Sequence, residues 1–113
     1  MKIKDIKEEE IIFEDGSKLY SYHESDCCEY HWLDFSNIIK EDWKDLEFDL
    51  SNDNFFKKVE DYGIELIPIN NHPLRIPGYG SNNGYYSSNL SLCFESKSGN
   101  KTYDISECQV ISD

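Results

Sequence analysis

The sequence predicts an α+β domain: a small, mostly antiparallel sheet built from two hairpins plus a central strand, with two short helices packed on it. Three observations predict it. Asp15-Gly16 separates two extended apolar patterns, Ser98-Gly99-Asn100 separates two more, and between them lie stretches with apolar residues at helical spacing. A chain of 113 residues is expected to form a single domain over 1–113, large enough to bury roughly two thirds of its unfolded surface without a metal or disulfide staple.

Each element has its own warrant. Ile3, Ile6, Ile11 and Phe13 lead into Glu14-Asp15-Gly16-Ser17, and Leu19, Tyr20 and Tyr22 resume the extended pattern, giving strands near 8–14 and 18–23. A two-residue and a three-residue loop would pair Phe13 with different partners, so the register stays open. Ile39, Trp43 and Leu46 stand at i, i+4, i+7 and read as a short helix behind a cap at Ser36 or Asn37. Ser51-Asn52-Asp53 offers a second cap, with Phe55, Phe56 and Val59 on one side of a second helix ending near Gly63. Ile64-Glu65-Leu66-Ile67-Pro68-Ile69 is β-branched and apolar, but Pro68 cannot donate to a ladder, which predicts a strand at a sheet edge or one ending in a bulge. Leu90, Leu92 and Phe94 alternate with polar residues, and the Gly99 turn leads to Tyr103, Ile105 and the terminal Val110-Ile111, a second hairpin. Turning on Ser98-Gly99 or on Gly99-Asn100 puts Leu92 and Phe94 on the face of Tyr103 and Ile105, with Cys93 opposite Asp104 or Ser106.

The formal charge is −12, and residues 1–65 hold nineteen acidic and eight basic side chains against four and three in residues 66–113. The acidity therefore belongs to the first part of the chain. Such a field repels nucleic acid and anionic membrane and favours a basic protein partner; direct nucleic-acid binding would need clustered Lys and Arg. No apolar run is long enough to span a bilayer. Met1 to Lys7 alternates charged and apolar residues, unlike a signal peptide, so the expected location is cytoplasmic and the four Cys are expected to be thiols.

The densest chemistry lies in Tyr22-His23-Glu24-Ser25-Asp26-Cys27-Cys28-Glu29-Tyr30-His31-Trp32. A zinc site here would use His23, Cys27 or Cys28 and His31, completed by His72, Cys93 or Cys108. Adjacent Cys lack the Cys-x2–4-Cys spacing that curls around zinc, so no metal is expected, with zinc the exception to test. As an enzyme site, Cys27 or Cys28 would be the nucleophile, His23, His31 or His72 the base, and Asp26 or Asp34 the orienter. Glu24, Asp26 and Glu29 oppose it by raising the thiol pKa. A Cys93–Cys108 disulfide is not expected, because the hairpin makes them diagonal neighbours at best.

Residues 70–89 change to Asn, Gly, Pro, Ser and Tyr, a long loop of the kind that is usually either functional or disordered. It holds the only Arg in the chain, Arg75, with Tyr79, Asn82, Asn83, Tyr85 and Tyr86. That is the composition of binding surfaces, and these six residues are the candidate contact set. The opposing reading packs the Tyr rings into an Ω-loop on their own domain.

The box Tyr22 to Glu29, followed by His31-Trp32-Leu33-Asp34-Phe35, resembles the Asp-Cys-Cys-Glu box of short uncharacterised proteins from bacteria and their phages. Leu46 to Asp53, Ile76-Pro77-Gly78-Tyr79-Gly80, Asn82 to Leu90 and Asp104 to Gln109 extend the resemblance over most of residues 20–109. It implies a cytoplasmic domain of unknown function, encoded by bacteria or mobile elements, and carries over no functional residue. The expected function is that of a small acidic interaction protein using residues 70–89. The alternative is a metal-binding or Cys/His-dependent enzyme centred on residues 23–31, and the third is an acidic DNA mimic inhibiting a nucleic-acid enzyme.

Overall fold

The computed structural model describes residues 1–23, 30–70, 72–81 and 89–112. In chain order these hold β1 (Ile3–Ile6), β2 (Glu10–Phe13), β3 (Lys18–Tyr22), β4 (Tyr30–Leu33), α1 (Lys40–Trp43), a 3-10 turn (Asp53–Phe55), β5 (Phe56–Val59), β6 (Gly63–Leu66), β7 (Leu74–Ser81), β8 (Ser91–Ser96), β9 (Gly99–Asp104) and β10 (Val110–Ser112). The expected α+β class is therefore corrected: the described fold is nearly all β, in two five-stranded sheets with one helical turn. One sheet has the order β1-β2-β3-β8-β9. In the other, β5, β6 and β7 lie side by side and β7 also pairs with β4 and β10. Pairing is antiparallel throughout except between β10 and β7.

Turn chemistry sets the first register. Gly16 has φ of +90°, its N–H donates to Phe13 O at 3.0 Å and Phe13 N–H donates to Ser17 O at 2.9 Å. This is a three-residue loop with glycine in the left-handed position. It places Leu19 opposite Ile11 on the buried face. The second hairpin turns on Lys97-Ser98, pairing Ser96 with Gly99, so Cys93 faces Thr102 and neither Asp104 nor Ser106. Leu92 lies opposite Tyr103, as the expected parity requires.

The expected second helix is mostly strand. Asn52 does cap, its side chain accepting from Asn54 N–H at 2.9 Å, but only the 3-10 turn follows before Phe56-Lys57-Lys58-Val59 becomes β5. Apolar residues three apart share a helix face, but a tight turn through Asp61, at φ of +60°, gives β5 a partner in β6, and Phe56 and Val59 fall on opposite faces of the strand, each half-buried. Gly63, the expected helix stop, opens β6, where an added Cβ would lie 2.0 Å from Ile76 O. The first helix shrinks to one turn, capped by exposed Ile39 and neither Ser36 nor Asn37, although Trp43 and Leu46 are buried as its spacing requires.

Two further expectations are corrected. β6 stops at Leu66, two residues short of Pro68, and runs between β5 and β7 rather than along an edge. The expected loop 70–89 contains β7, the most extensively paired strand of its sheet. Leu74, Ile76, Gly78 and Gly80 are its buried positions, so half of the inward residues lack a side chain and the alternation is faint in the sequence. Pro77 stands where the pairing passes from β6 to β4, accepting Asp34 N–H at 2.8 Å through its carbonyl.

The buried cluster draws Ile11, Phe13, Leu19, Leu92 and Phe94 from the first sheet and Leu33, Ile64, Leu66, Leu74 and Ile76 from the second. The connecting segments add Phe35, Trp43, Leu46, Phe48 and Phe55. Phe13 meets Phe48 and Phe94 edge-on at 6.2 Å, and Phe55 meets Phe94 at 5.9 Å, contacts that each contribute about 0.5–1.5 kcal/mol beyond burial. Among the described residues no helix is long and apolar enough to cross a membrane.

Candidate binding cleft and histidine pair

β3 belongs to one sheet and β4 to the other, so the connection between them crosses from sheet to sheet. His23 follows the end of β3 and His31 lies in β4, and their rings meet at 4.5 Å and 61°. Asp26, Cys27 and Cys28, three of the expected catalytic or metal-binding residues, lie outside the described residues. Of that candidate set the structure therefore places the two histidines, and brings them together.

His31 is held on two sides. It sits opposite Gly80, whose missing side chain leaves room for the imidazole: a Cβ there would lie 2.3 Å from His31 Nδ1. Gln109 Nε2 donates to Ser106 O at 2.7 Å, which turns its Oε1 toward His31 Nδ1, also at 2.7 Å. That oxygen can only accept, so Nδ1 donates the proton of this bond. His31 is 6% exposed, and its Nε2 is buried with no hydrogen-bond partner among the described residues. His23 Nδ1 faces two oxygens of Asn89, its backbone O at 2.6 Å and its Oδ1 at 3.0 Å, and the backbone oxygen can only accept, so this Nδ1 donates as well.

His31 also lines a cleft of about 1070 Å³ running along residues 31–34. Glu8, Glu9 and Glu10, at the turn into β2, and Asp34 bring four carboxylates to it, against the single ammonium of Lys7. Tyr20 and Trp32 also border it. The Tyr20 hydroxyl donates to Glu95 at 2.9 Å, and this bond, with burial, pushes its pKa up to about 12. Ser21 Oγ accepts the Leu33 N–H at 3.0 Å and ties β3 to β4 across the cleft.

The opposite face of β4 and β7 is aromatic and open. Trp32 pairs with Tyr79, their rings 5.9 Å apart, and Tyr79 pairs in turn with Val110 of β10. Tyr30 is 69% and Trp32 43% exposed. Farther along β7 on the same face, the Arg75 guanidinium lies 4.2 Å over the Tyr62 ring, a cation–π contact. Arg75 and Tyr79, expected in a loop, are thus strand residues, while Asn82, Asn83, Tyr85 and Tyr86 lie outside the described residues.

Other expected participants are scattered. His72 lines a separate cleft with Asn37 and Glu41. Asp34 accepts from Ser36 rather than orienting a histidine. Burial raises the Cys93 thiol pKa, and burial followed by the Glu107 charge raises that of Cys108, so neither is an activated nucleophile. Both are free thiols. Among the described residues no group of three or more His, Cys, Asp or Glu could hold a metal ion. Sequence reasoning missed Glu8 to Glu10, Tyr30, Trp32, Gly80 and Gln109; the alternation Tyr30-His31-Trp32-Leu33 is a signal that could have put Trp32 on an outer face and His31 inside.

A family model described as a domain of unknown function, DUF7448, matches residues 1–92. No curated protein and no solved structure matches the chain. The matched residues include both histidines, the acidic turn and the aromatic face, and they make up most of the 113 residues: the chain belongs to the DUF7448 family, a domain of unknown function.

Proposed function

We propose that this protein is a small acidic binding protein that captures a basic protein partner on the outer face of β4 and β7. The observation that carries the reading is the row of Tyr30, Trp32 and Tyr79, with Arg75 on the same face: open aromatics and Arg on a rigid sheet are what interface cores use. Charge complementarity supports a basic partner, since the chain carries −12. Tyr85 and Tyr86, which lie outside the described residues, are proposed from the sequence to contribute partner contacts. A cytoplasmic location, supported by the free Cys93 and Cys108 thiols, and a source in bacteria or their phages, supported by the Asp-Cys-Cys-Glu resemblance, belong to the same proposal.

The test compares capture by the wild type and by a Tyr30→Ala/Tyr79→Ala variant from one bacterial lysate. The expected result is loss of the retained basic proteins with only a small drop in melting temperature, because Tyr30 is exposed and Tyr79 is half-buried against Trp32. An unchanged set of retained proteins would remove the reading. The His23–His31 contact favours a second reading, a metal or Cys/His site centred on residues 23–31. One equivalent of zinc per chain, lost together in His23→Ala and Cys27→Ser variants, would establish it.

A further inference from the structure

We draw no further inference here: the strongest candidate, the buried His23–His31 ring pair where the chain crosses from β3 to β4, belongs to the site already described, and among the described residues no third His, Cys, Asp or Glu joins it to hold a metal ion.

Discussion

Replacing Gly80 by Ala tests how His31 is held. The new Cβ would lie 2.3 Å from His31 Nδ1, 2.7 Å from its Cε1 and 2.7 Å from Gln109 Oε1. Ordinary contacts of carbon are about 3.5–4.0 Å, so ring and amide must each retreat by roughly 1 Å. They cannot do so and keep their 2.7 Å hydrogen bond. Separating a buried pair costs about 1–3 kcal/mol, and forcing a methyl into a filled space costs about 1–3 kcal/mol more. The sum, about 2–6 kcal/mol, corresponds to a melting temperature lowered by about 8–25 °C in a domain of this size. Thermal melts of wild type, Gly80→Ala, His31→Ala and the double variant form the cycle. Because removing the ring removes the closest of these clashes and releases Gln109 from its bond to His31, Gly80→Ala should cost much less in the His31→Ala background. A melting temperature lowered by less than about 2 °C, or losses that simply add, would refute this account of the strand pair.

Three further outcomes follow from the packing and the titrations. Phe55→Ala should cost about 3–5 kcal/mol, since its buried ring touches Phe56, Phe94 and Tyr103; a chemical denaturation midpoint near that of wild type would contradict it. Burial and then the hydrogen bond to Asp53 push the Tyr103 pKa up to about 12. The raised value means the protonated phenol favours the folded state, with that stability full below about pH 10 and lost as pH rises through about 12. Tyr103→Phe should flatten the alkaline slope of stability, and an unaltered slope in equilibrium unfolding between those limits would count against it. In a Cys27→Ser/Cys28→Ser background, a thiol reagent should modify half-buried Cys93 before buried Cys108, and both only after unfolding at full rate; rapid native labelling of Cys108 would contradict its burial.

What could be read in the sequence was what local chemistry decides. Asp15-Gly16 and Gly99 mark their turns because few other residues tolerate the backbone angles there, and Leu19, Leu92 and Phe94 declare a buried face by alternation. β5 and β7 escaped for different reasons. Phe56-Lys57-Lys58-Val59 has the spacing of a helix turn, and pairing with β6 overrode it. In β7 two of the inward positions are glycine, chosen for close approach to Cys108 O and His31, so the sequence carries no apolar period there. The site divided in the same way. His23 and His31 are close in sequence and could be nominated together, whereas Gln109 reaches His31 across 78 positions of chain. Glu8 to Glu10 reach the cleft only through the pairing of β2 with β3.

The pairing of β3 with β8 has a consequence for synthesis. Its register joins Tyr22 to Ser91, so the early hairpin leaves the ribosome with one long edge unmatched while 68 intervening residues are still being added. At about 5–20 residues per second, that wait lasts roughly 3–14 s. During it Ile11 and Leu19 gain their second layer only as β4 to β7 emerge, and the open edge of β3 is a template for any other extended chain nearby. The acidic residues concentrated in this first half then act before any partner is met, since like charge on neighbouring nascent chains keeps those edges apart.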